Sequence, residues 1–168
     1  MPTIIIEGID GAGKSTLFES INKIIPKKYD KVLVHKGVPE YDDPEREYCQ
    51  QLAWLQHKHF MVADRYHVGE LIYGPIYRGF SMTEGHWFKI IEERLEQLNA
   101  VKVILLPDLD IIRERFAKRG EDYLQPEHYE QVWNFYNNFV IDNPSWTKIT
   151  DNSEATAQML VDQATGRN

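Results

Sequence analysis

The stretch that decides the fold is Gly8–Ser15, which reads Gly-Ile-Asp-Gly-Ala-Gly-Lys-Ser and fits the pattern G-x-x-x-x-G-K-[S/T]. Glycines let the backbone N–H groups of such a loop turn inward around phosphate oxygens, and a following helix directs its positive end at the same anion. Lys14 is placed to reach the outer phosphates, and the Ser15 hydroxyl is placed to ligate Mg²⁺. The loop therefore predicts binding of a nucleoside triphosphate with Mg²⁺. The predicted triphosphate-binding residues are Gly8, Asp10, Gly11, Ala12, Gly13, Lys14, Ser15 and Thr16.

The loop lies between a predicted strand and a predicted helix, and this alternation continues along the chain. Thr3–Glu7 is a β-branched apolar run, which predicts a buried strand, and Ser15–Ile25 carries apolar residues at helical spacing. The further predicted strands are Lys31–His35, His59–Asp64, Val101–Leu106 and Trp146–Thr150. The further predicted helices are one that follows Pro44, Val68–Ile72 with a break at Gly74–Pro75, one capped by Ser81 or Thr83 that runs to Leu98, Leu109–Arg119, Glu127–Ile141 and Ser153–Ala164.

Strands separated by helices form βαβ units, so the pattern predicts an α/β protein with a parallel sheet. With the phosphate loop after the first strand, we expect a P-loop NTPase fold: a five-stranded parallel sheet with helices on both faces. The length of 168 residues matches one domain, 1–168. A short polar segment at about 119–126, bounded by glycine and proline, is predicted to be a lid.

Composition and charge exclude several classes of protein. The chain is 42% hydrophobic and 27% charged with a formal net charge of −7, which argues against a disordered chain, a coiled coil and a nucleic-acid-binding protein with a basic footprint. No apolar run approaches the ~20 residues that span a bilayer, and the N-terminus lacks a signal-peptide pattern. Because Cys49 is the single cysteine, no intrachain disulfide forms. We therefore expect a cytoplasmic protein without a membrane partner, whose partners are small-molecule nucleotides.

Charged side chains elsewhere in the sequence point to a second phosphate-binding element. Asp64 ends the third predicted strand, beside the phosphate loop, where its carboxylate can hold Mg²⁺ directly or through water. Arg65 and Arg78 flank residues 66–77, and their planar guanidinium groups suit bidentate contact with phosphate. The alternative is a pair of surface arginines without a ligand.

A basic cluster occupies the predicted helix that precedes the lid. Arg115 and Arg119 are one turn apart and share a face, with Arg113 and Lys118 beside them. These cations either stabilise the C-terminal end of the helix or close over the charge that develops on a transferring phosphoryl group. Leu106–Asp110 lacks the Asn-Lys-x-Asp sequence with which GTPases read guanine, which argues against that class.

Four blocks of sequence resemble the thymidylate kinase family of nucleoside monophosphate kinases, in the order in which that family has them. The first is Ile4–Thr16, which is close to the phosphate-loop signature of the family, and the second is Asp64-Arg65-Tyr66. The third combines Tyr73 with Arg78-Gly79, and the fourth ends in Arg115–Gly120, reading Arg-Phe-Ala-Lys-Arg-Gly. The blocks run from residue 3 to about 122. The first is specific to the family and its close relatives, and the others gain weight together.

The resemblance implies an ATP-dependent phosphotransferase that phosphorylates a dTMP-like deoxynucleoside monophosphate to the diphosphate, with Mg²⁺ as cofactor. Asp10 would contact the 3′-hydroxyl of the acceptor, Arg65 and Arg78 would hold its phosphate, and Tyr73 is our choice for stacking on its base. Asp64 would assist Mg²⁺ together with Ser15.

The resemblance also implies the residues that act on the transferred phosphoryl group. Relatives with glycine inside the phosphate loop place their catalytic arginine in the lid, and Gly11 occupies that loop position here. Arg119, with Arg115, therefore inherits the catalytic role beside Lys14. The family commonly forms homodimers through a helix face, and the sequence leaves that point open.

The sequence departs from the family pattern after the second predicted strand. The family often has Arg-Glu-Pro there, whereas this chain has His35–Glu40, so that Lys36 is the remaining cation for the acceptor phosphate. Within that stretch, Val38-Pro39-Glu40 resembles the Pro-Glu of deoxynucleoside kinases, whose glutamate is the base for a nucleoside 5′-hydroxyl. A deoxynucleoside kinase is therefore the alternative function, with Glu40 in the acceptor site. A nucleotide-binding module without transfer chemistry is a third reading.

Overall fold

The fold is built on one parallel sheet. The computed structural model of the protein describes residues 1–37, 43–119 and 124–167. Within these residues, five strands lie in the order β2-β3-β1-β4-β5, and every pairing is parallel. The strands are β1 (Thr3–Glu7), β2 (Asp30–His35), β3 (His59–Asp64), β4 (Val101–Leu105) and β5 (Thr147–Ile149). The predicted five-stranded parallel sheet is confirmed, because every predicted strand forms within two residues of its expected bounds.

Helices connect the strands and surround the sheet. The described helices are α1 (Lys14–Ile24), α2 (Gln50–Ala53), α3 (Glu70–Arg78), α4 (His86–Gln97), α5 (Leu109–Arg119), α6 (Tyr129–Asp142) and α7 (Glu154–Thr165). A π-helical turn, Glu45–Cys49, precedes α2, and a 3₁₀ turn, Pro126–His128, precedes α6. Helix α1 packs against α7, and α6 contacts both α3 and α5. No helix of the described part of the chain is both long and apolar enough to cross a bilayer.

Two helix predictions were wrong in their bounds. Helix α3 continues through Gly74–Pro75 instead of breaking there, with Pro75 inside the helix. Gly74 permits this path because a Cβ at that position would lie 2.6 Å from the backbone oxygen of Phe80. Helix α4 begins at His86, after Gly85, and not after a serine or threonine cap. Thr83 is fully buried and donates its hydroxyl to the backbone oxygen of His67 instead, at 3.0 Å.

The strand order places the phosphate loop at the middle of the sheet. Strand β1 is buried along its whole length and lies between β3 and β4, so Ile6 pairs with Asp64 on one side and with Val103 on the other. Because all strands are parallel, the segments after β1 and β3 leave the sheet at the same edge. In open α/β sheets, ligands bind in the crevice at the carboxyl ends of the strands, at the point where the strand order reverses.

A buried polar network surrounds Lys102 of β4. Lys102 is 4% exposed and donates to one oxygen of Glu92 at 2.6 Å, while the second oxygen lies 2.8 Å from His67 Nε2 and 3.1 Å from Trp146 Nε1. Burial opposes ionisation of Glu92, but His67 and Lys102 outweigh it and lower the pKa of this carboxyl group. The network ties α4 to the segment after β3 and to β4.

Candidate active site

The phosphate loop is shaped by close contacts with its neighbours. A Cβ on Gly8 would collide with the backbone oxygen of Leu105 on β4, which fixes glycine at the point where β1 enters the loop. Gly13 has a φ of +100°, a conformation that favours glycine, and a Cβ there would lie 2.6 Å from Asn152 Nδ2. Helix α1 begins at the next residue, Lys14, so its N-terminal end follows the loop directly. This is the strand–loop–helix context that phosphate binding requires.

The ammonium group of Lys14 is held inside the loop. Its Nζ donates to the backbone oxygens of Gly8 at 2.8 Å and Ile9 at 2.9 Å, and lies 3.8 Å from Asp10 Oδ1. The residue is 5% exposed. Burial, followed by the positive charge of Arg65, lowers the pKa of Lys14 to about 8. The group is therefore mostly charged at neutral pH, and a bound phosphate would stabilise the charged form further.

A cleft of about 800 Å³ opens beside the loop. Six of the eight predicted triphosphate-binding residues line it, while Gly8 and Ala12 are buried behind them. Among the residues that the structure describes, the lining side chains include five cations and one carboxylate, that of Asp10, so this part of the cleft attracts anions. The described lining residues are Asp10, Gly11, Gly13, Lys14, Ser15, Thr16, Arg65, Arg115, Lys118, Arg119 and Asn152.

Asp64 lies beside Ser15, which lines the cleft, although Asp64 itself is not part of the lining. The Ser15 hydroxyl donates to Asp64 Oδ2 at 2.9 Å, and His35 Nδ1 lies 3.6 Å from the same oxygen. The other oxygen, Oδ1, is buried and has no hydrogen-bond partner in the part of the chain that the structure describes. A carboxylate oxygen without a donor next to a hydroxyl is a hard oxygen donor set that suits Mg²⁺. These two residues therefore fit the ion that the sequence implies.

The structure brings together Asp10, Arg65 and Tyr73, three of the residues predicted to bind the acceptor. Arg65 forms an ion pair with Asp10 Oδ1, and the Asp10 N–H donates to the Tyr73 hydroxyl at 3.2 Å. Burial opposes the charge on Arg65, but Asp10 outweighs it and raises the pKa of the guanidinium group. Burial, with Asp10 adding to it, raises the pKa of Tyr73 well above its ordinary value, so its hydroxyl stays protonated. Asp10 Oδ2 is buried and has no hydrogen-bond partner among the described residues.

The other two predicted acceptor cations are held by buried carboxylates. Lys36 lies 2.6 Å from Glu47 Oε1, and Glu47 is 3% exposed. Arg78 forms an ion pair with Glu70, which is 5% exposed and also accepts the N–H of Met82 at 3.1 Å. Neither Lys36 nor Arg78 lines the cleft. All three predicted acceptor cations therefore pair with carboxylates of the protein, and Arg65 alone among the three does so in the cleft.

The basic face of α5 lines the cleft opposite the loop. Arg115 Nη1 donates to the backbone oxygens of Gly11 at 2.9 Å and Ala12 at 2.6 Å, which fixes the loop to this helix. Lys118 and Arg119 lie further along the same lining. Arg113, on the same helix, is outside the lining and pairs with Asp110 and Glu130. The predicted cluster therefore divides into a cleft face and a solvent face.

Part of the predicted site falls outside the described residues. These positions are Glu40, the base of the alternative function, and Gly120–Tyr123 of the predicted lid. At the far end of the predicted lid, Leu124 is 1% exposed and Pro126 begins a 3₁₀ turn.

Sequence reasoning did not assign a role to Glu7, Tyr136 or Asn152. Glu7 is fully buried and accepts three backbone N–H groups from the segment after β3. The Tyr136 hydroxyl donates to the same carboxylate at 3.4 Å, and Asn152 donates to the Gly13 backbone oxygen at 3.3 Å. The one sequence signal for Glu7 is its position at the end of a predicted buried strand. A buried carboxylate requires hydrogen-bond donors, which neighbouring segments of the protein must supply.

The fold is similar to that of several solved structures. The YorR protein from Bacillus subtilis, solved in complex with phosphorylated GDP, matches with a TM-score of 0.72 at 20% identity, over 95% of this chain and 93% of that chain. Deoxyadenosine kinase from M. mycoides with products dCMP and dCDP matches at 0.59 and 16% identity, over 99% and 100%. Thymidylate kinase from Candida albicans matches at 0.58 and 14%, over 99% and 92%. No family model and no curated protein sequence matches the chain.

These likenesses establish the fold. The chain has the P-loop fold that nucleoside monophosphate kinases and deoxynucleoside kinases share, which confirms at the level of the fold the resemblance carried by the four sequence blocks.

Proposed function

We propose that the protein transfers the γ-phosphoryl group of ATP to a deoxynucleoside monophosphate of the dTMP type. The observation that carries this proposal is the charge of the cleft lining, where the described residues 1–37, 43–119 and 124–167 contribute five cations and one carboxylate. A donor triphosphate and an acceptor monophosphate both bring negative charge to one site. Arginine and lysine groups that the protein already holds in position neutralise that charge more strongly than they do in solution.

The residues of the cleft divide the work between the two substrates. The backbone of the loop and Lys14 hold the outer phosphates of the donor, while Arg65 holds the phosphate of the acceptor and Asp10 Oδ2 accepts its sugar hydroxyl. An acceptor phosphate oxygen attacks the γ-phosphorus, the new P–O bond forms, and the bond to the β-phosphate oxygen breaks to release ADP. The attacking oxygen is already anionic, so positioning and charge neutralisation supply the catalysis without a strong base.

Charge neutralisation on the donor side comes from two places. Arg119 approaches from α5, and Arg115 keeps the loop in register with that helix through its bonds to Gly11 and Ala12. Ser15 and Asp64 would hold Mg²⁺, which when bound draws the donor phosphates together and neutralises the leaving group. A homodimer and a cytoplasmic location stay predictions.

A deoxynucleoside kinase is the second candidate. The observation that favours it is the pairing of Lys36 with Glu47 and of Arg78 with Glu70, because it reduces the positive charge offered to an acceptor phosphate. A neutral nucleoside needs no such charge, and its 5′-hydroxyl needs a base, the role that the resemblance gives to Glu40.

One experiment separates the two functions. ADP formation is measured with Mg²⁺ and ATP against the common deoxynucleoside monophosphates and, separately, the corresponding deoxynucleosides. We expect turnover on a monophosphate, with a KM that rises at least tenfold in Arg65→Ala, as expected on losing a charge-assisted hydrogen bond. Arg113→Ala, whose side chain lies outside the cleft, is the matched control. Turnover confined to free nucleosides, and lost in Glu40→Gln, would establish the second candidate instead.

A further inference from the structure

We propose that Glu7 is a positioning residue, whose carboxylate holds the turn after β3 in the strained conformation from which Arg65 reaches Asp10. The inference rests on the proposed function in one respect, since it concerns the arginine assigned to the acceptor phosphate. The strain itself is a property of the protein without substrate.

The carboxylate of Glu7 is the centre of the turn. One oxygen accepts the N–H groups of Tyr66 at 2.8 Å, Val68 at 2.9 Å and Gly69 at 3.2 Å, and the other accepts the hydroxyl of Tyr136 at 3.4 Å. Helix α3 begins immediately after these residues, at Glu70, so the anion also lies at the positive end of that helix. A buried carboxylate keeps its charge only with such donors, and it fixes the backbone that supplies them.

Arg65 occupies a conformation that its surroundings must impose. Its φ is +67°, in the left-handed region where the Cβ of a non-glycine residue crowds the backbone. Its own N–H donates to the backbone oxygen of Ile6 at 2.8 Å, and the next N–H, that of Tyr66, donates to Glu7. The two peptide groups that flank the Arg65 Cα are therefore both anchored to β1. Strain of this kind persists where packing and hydrogen bonds determine the backbone.

The strained backbone directs the arginine into the cleft. From this position the guanidinium group pairs with Asp10 inside the phosphate loop, and the Asp10 N–H donates to Tyr73 on α3. Gly69 allows the approach of α3, because a Cβ there would lie 3.3 Å from Glu7 Oε2 and 3.2 Å from the Tyr136 hydroxyl. Glu7, which does not line the cleft, thus connects the phosphate loop to the turn that carries Arg65.

The strain is tested by two substitutions at one site. Arg65→Ala and Arg65→Gly both remove the ion pair with Asp10, but glycine adopts a positive φ without crowding. In urea denaturation we expect the equilibrium constant for unfolding of R65G to be about fivefold smaller than that of R65A. Equal stabilities of the two variants would show that the turn is not strained and would overturn the proposal.

The role of Glu7 is tested by repeating the comparison in the Glu7→Gln background. The amide oxygen of glutamine can still accept the three N–H groups, but without the negative charge these bonds are weaker. We therefore expect the turn to relax and the ratio between the glycine and alanine variants to fall to about twofold or less. A ratio that stays near fivefold would assign the strain to other contacts and refute the role of Glu7. Should E7Q not fold, Glu7→Asp keeps the charge, shortens its reach and serves in the same comparison. Tyr136→Phe, which leaves the three N–H bonds intact, is the control and should keep the ratio.

Activity supplies a readout that general loosening of the fold does not give. With the acceptor selected by the substrate panel, E7Q should raise the acceptor KM at least tenfold and change the Kd of Mg-ATP less than twofold. Parallel losses for donor and acceptor would contradict a role directed at Arg65. If the panel shows no turnover at all, the proposed function fails, while the stability comparison still decides the inference about Glu7.

Discussion

The buried charge of Lys14 makes a prediction about stability and pH. Its pKa in the folded protein is about 8, against an ordinary value of 10.5. Between those values the unfolded chain binds more protons than the folded one, so the contribution of Lys14 to the free energy of unfolding rises with pH in that window. At ~1.4 kcal/mol per pKa unit, the ammonium group costs about 3 kcal/mol at pH 7 and about 1 kcal/mol at pH 10.

Lys14→Met isolates this contribution, because methionine keeps the length of the chain without a titrating group. Loss of the ammonium bonds to Gly8 and Ile9 changes the free energy of unfolding by an amount that does not depend on pH. The other titrating groups contribute equally in both proteins. We expect the difference in unfolding free energy between wild type and K14M to shift by about 2 kcal/mol in favour of wild type between pH 7 and pH 10. Urea denaturation at several pH values measures it. Parallel curves for the two proteins would refute a lowered pKa.

The same group sets the pH dependence of donor binding. Phosphate oxygens favour the charged form of Lys14, so binding of ATP takes up a proton above pH 8. The Kd of Mg-ATP measured by calorimetry should rise about tenfold per pH unit above that value. A Kd that is constant from pH 7 to 9.5 would contradict the assignment of Lys14 to the donor phosphates.

Three further outcomes follow from the site and the core. Arg119→Ala should lower kcat roughly 10²-fold with a smaller change in KM, whereas Arg113→Ala on the opposite face of α5 should stay within twofold; an effect on KM alone would limit Arg119 to binding. Asp64→Asn should raise the Mg²⁺ concentration for half-maximal activity about tenfold, and an unchanged Mg²⁺ titration would remove Asp64 from the ion site. Glu92→Ala leaves the Lys102 ammonium buried without its carboxylate and should lower the free energy of unfolding by about 3 kcal/mol. Adding Lys102→Met should restore much of that loss, whereas additive losses in the double variant would contradict direct pairing.

The sequence by itself determined the sheet and the phosphate loop. Strand β1 is buried on both faces, so its β-branched run needed no tertiary information to be recognised, and Gly8–Ser15 carries its geometry in glycine and lysine spacing. The contact between Ser15 and Asp64 was also predictable, because the ends of neighbouring parallel strands share one edge of the sheet.

Only the tertiary structure decided which charges face the cleft. The sequence offers Arg65 and Arg78 for the acceptor phosphate, with Lys36 as a substitute. Of these, Arg65 lines the cleft and pairs with Asp10 there. Glu70 holds Arg78 and Glu47 holds Lys36, both outside the cleft lining. The role of Glu7 likewise depends on three N–H groups that lie about 60 residues away in the chain and meet it only after β1 and β3 pair. Local spacing fixes the strands and the phosphate loop because their hydrogen bonds follow backbone periodicity. The contacts of Glu7 with residues 66–69 and of Asp10 with Arg65 join groups 55 to 62 residues apart, so they exist only once the sheet has formed.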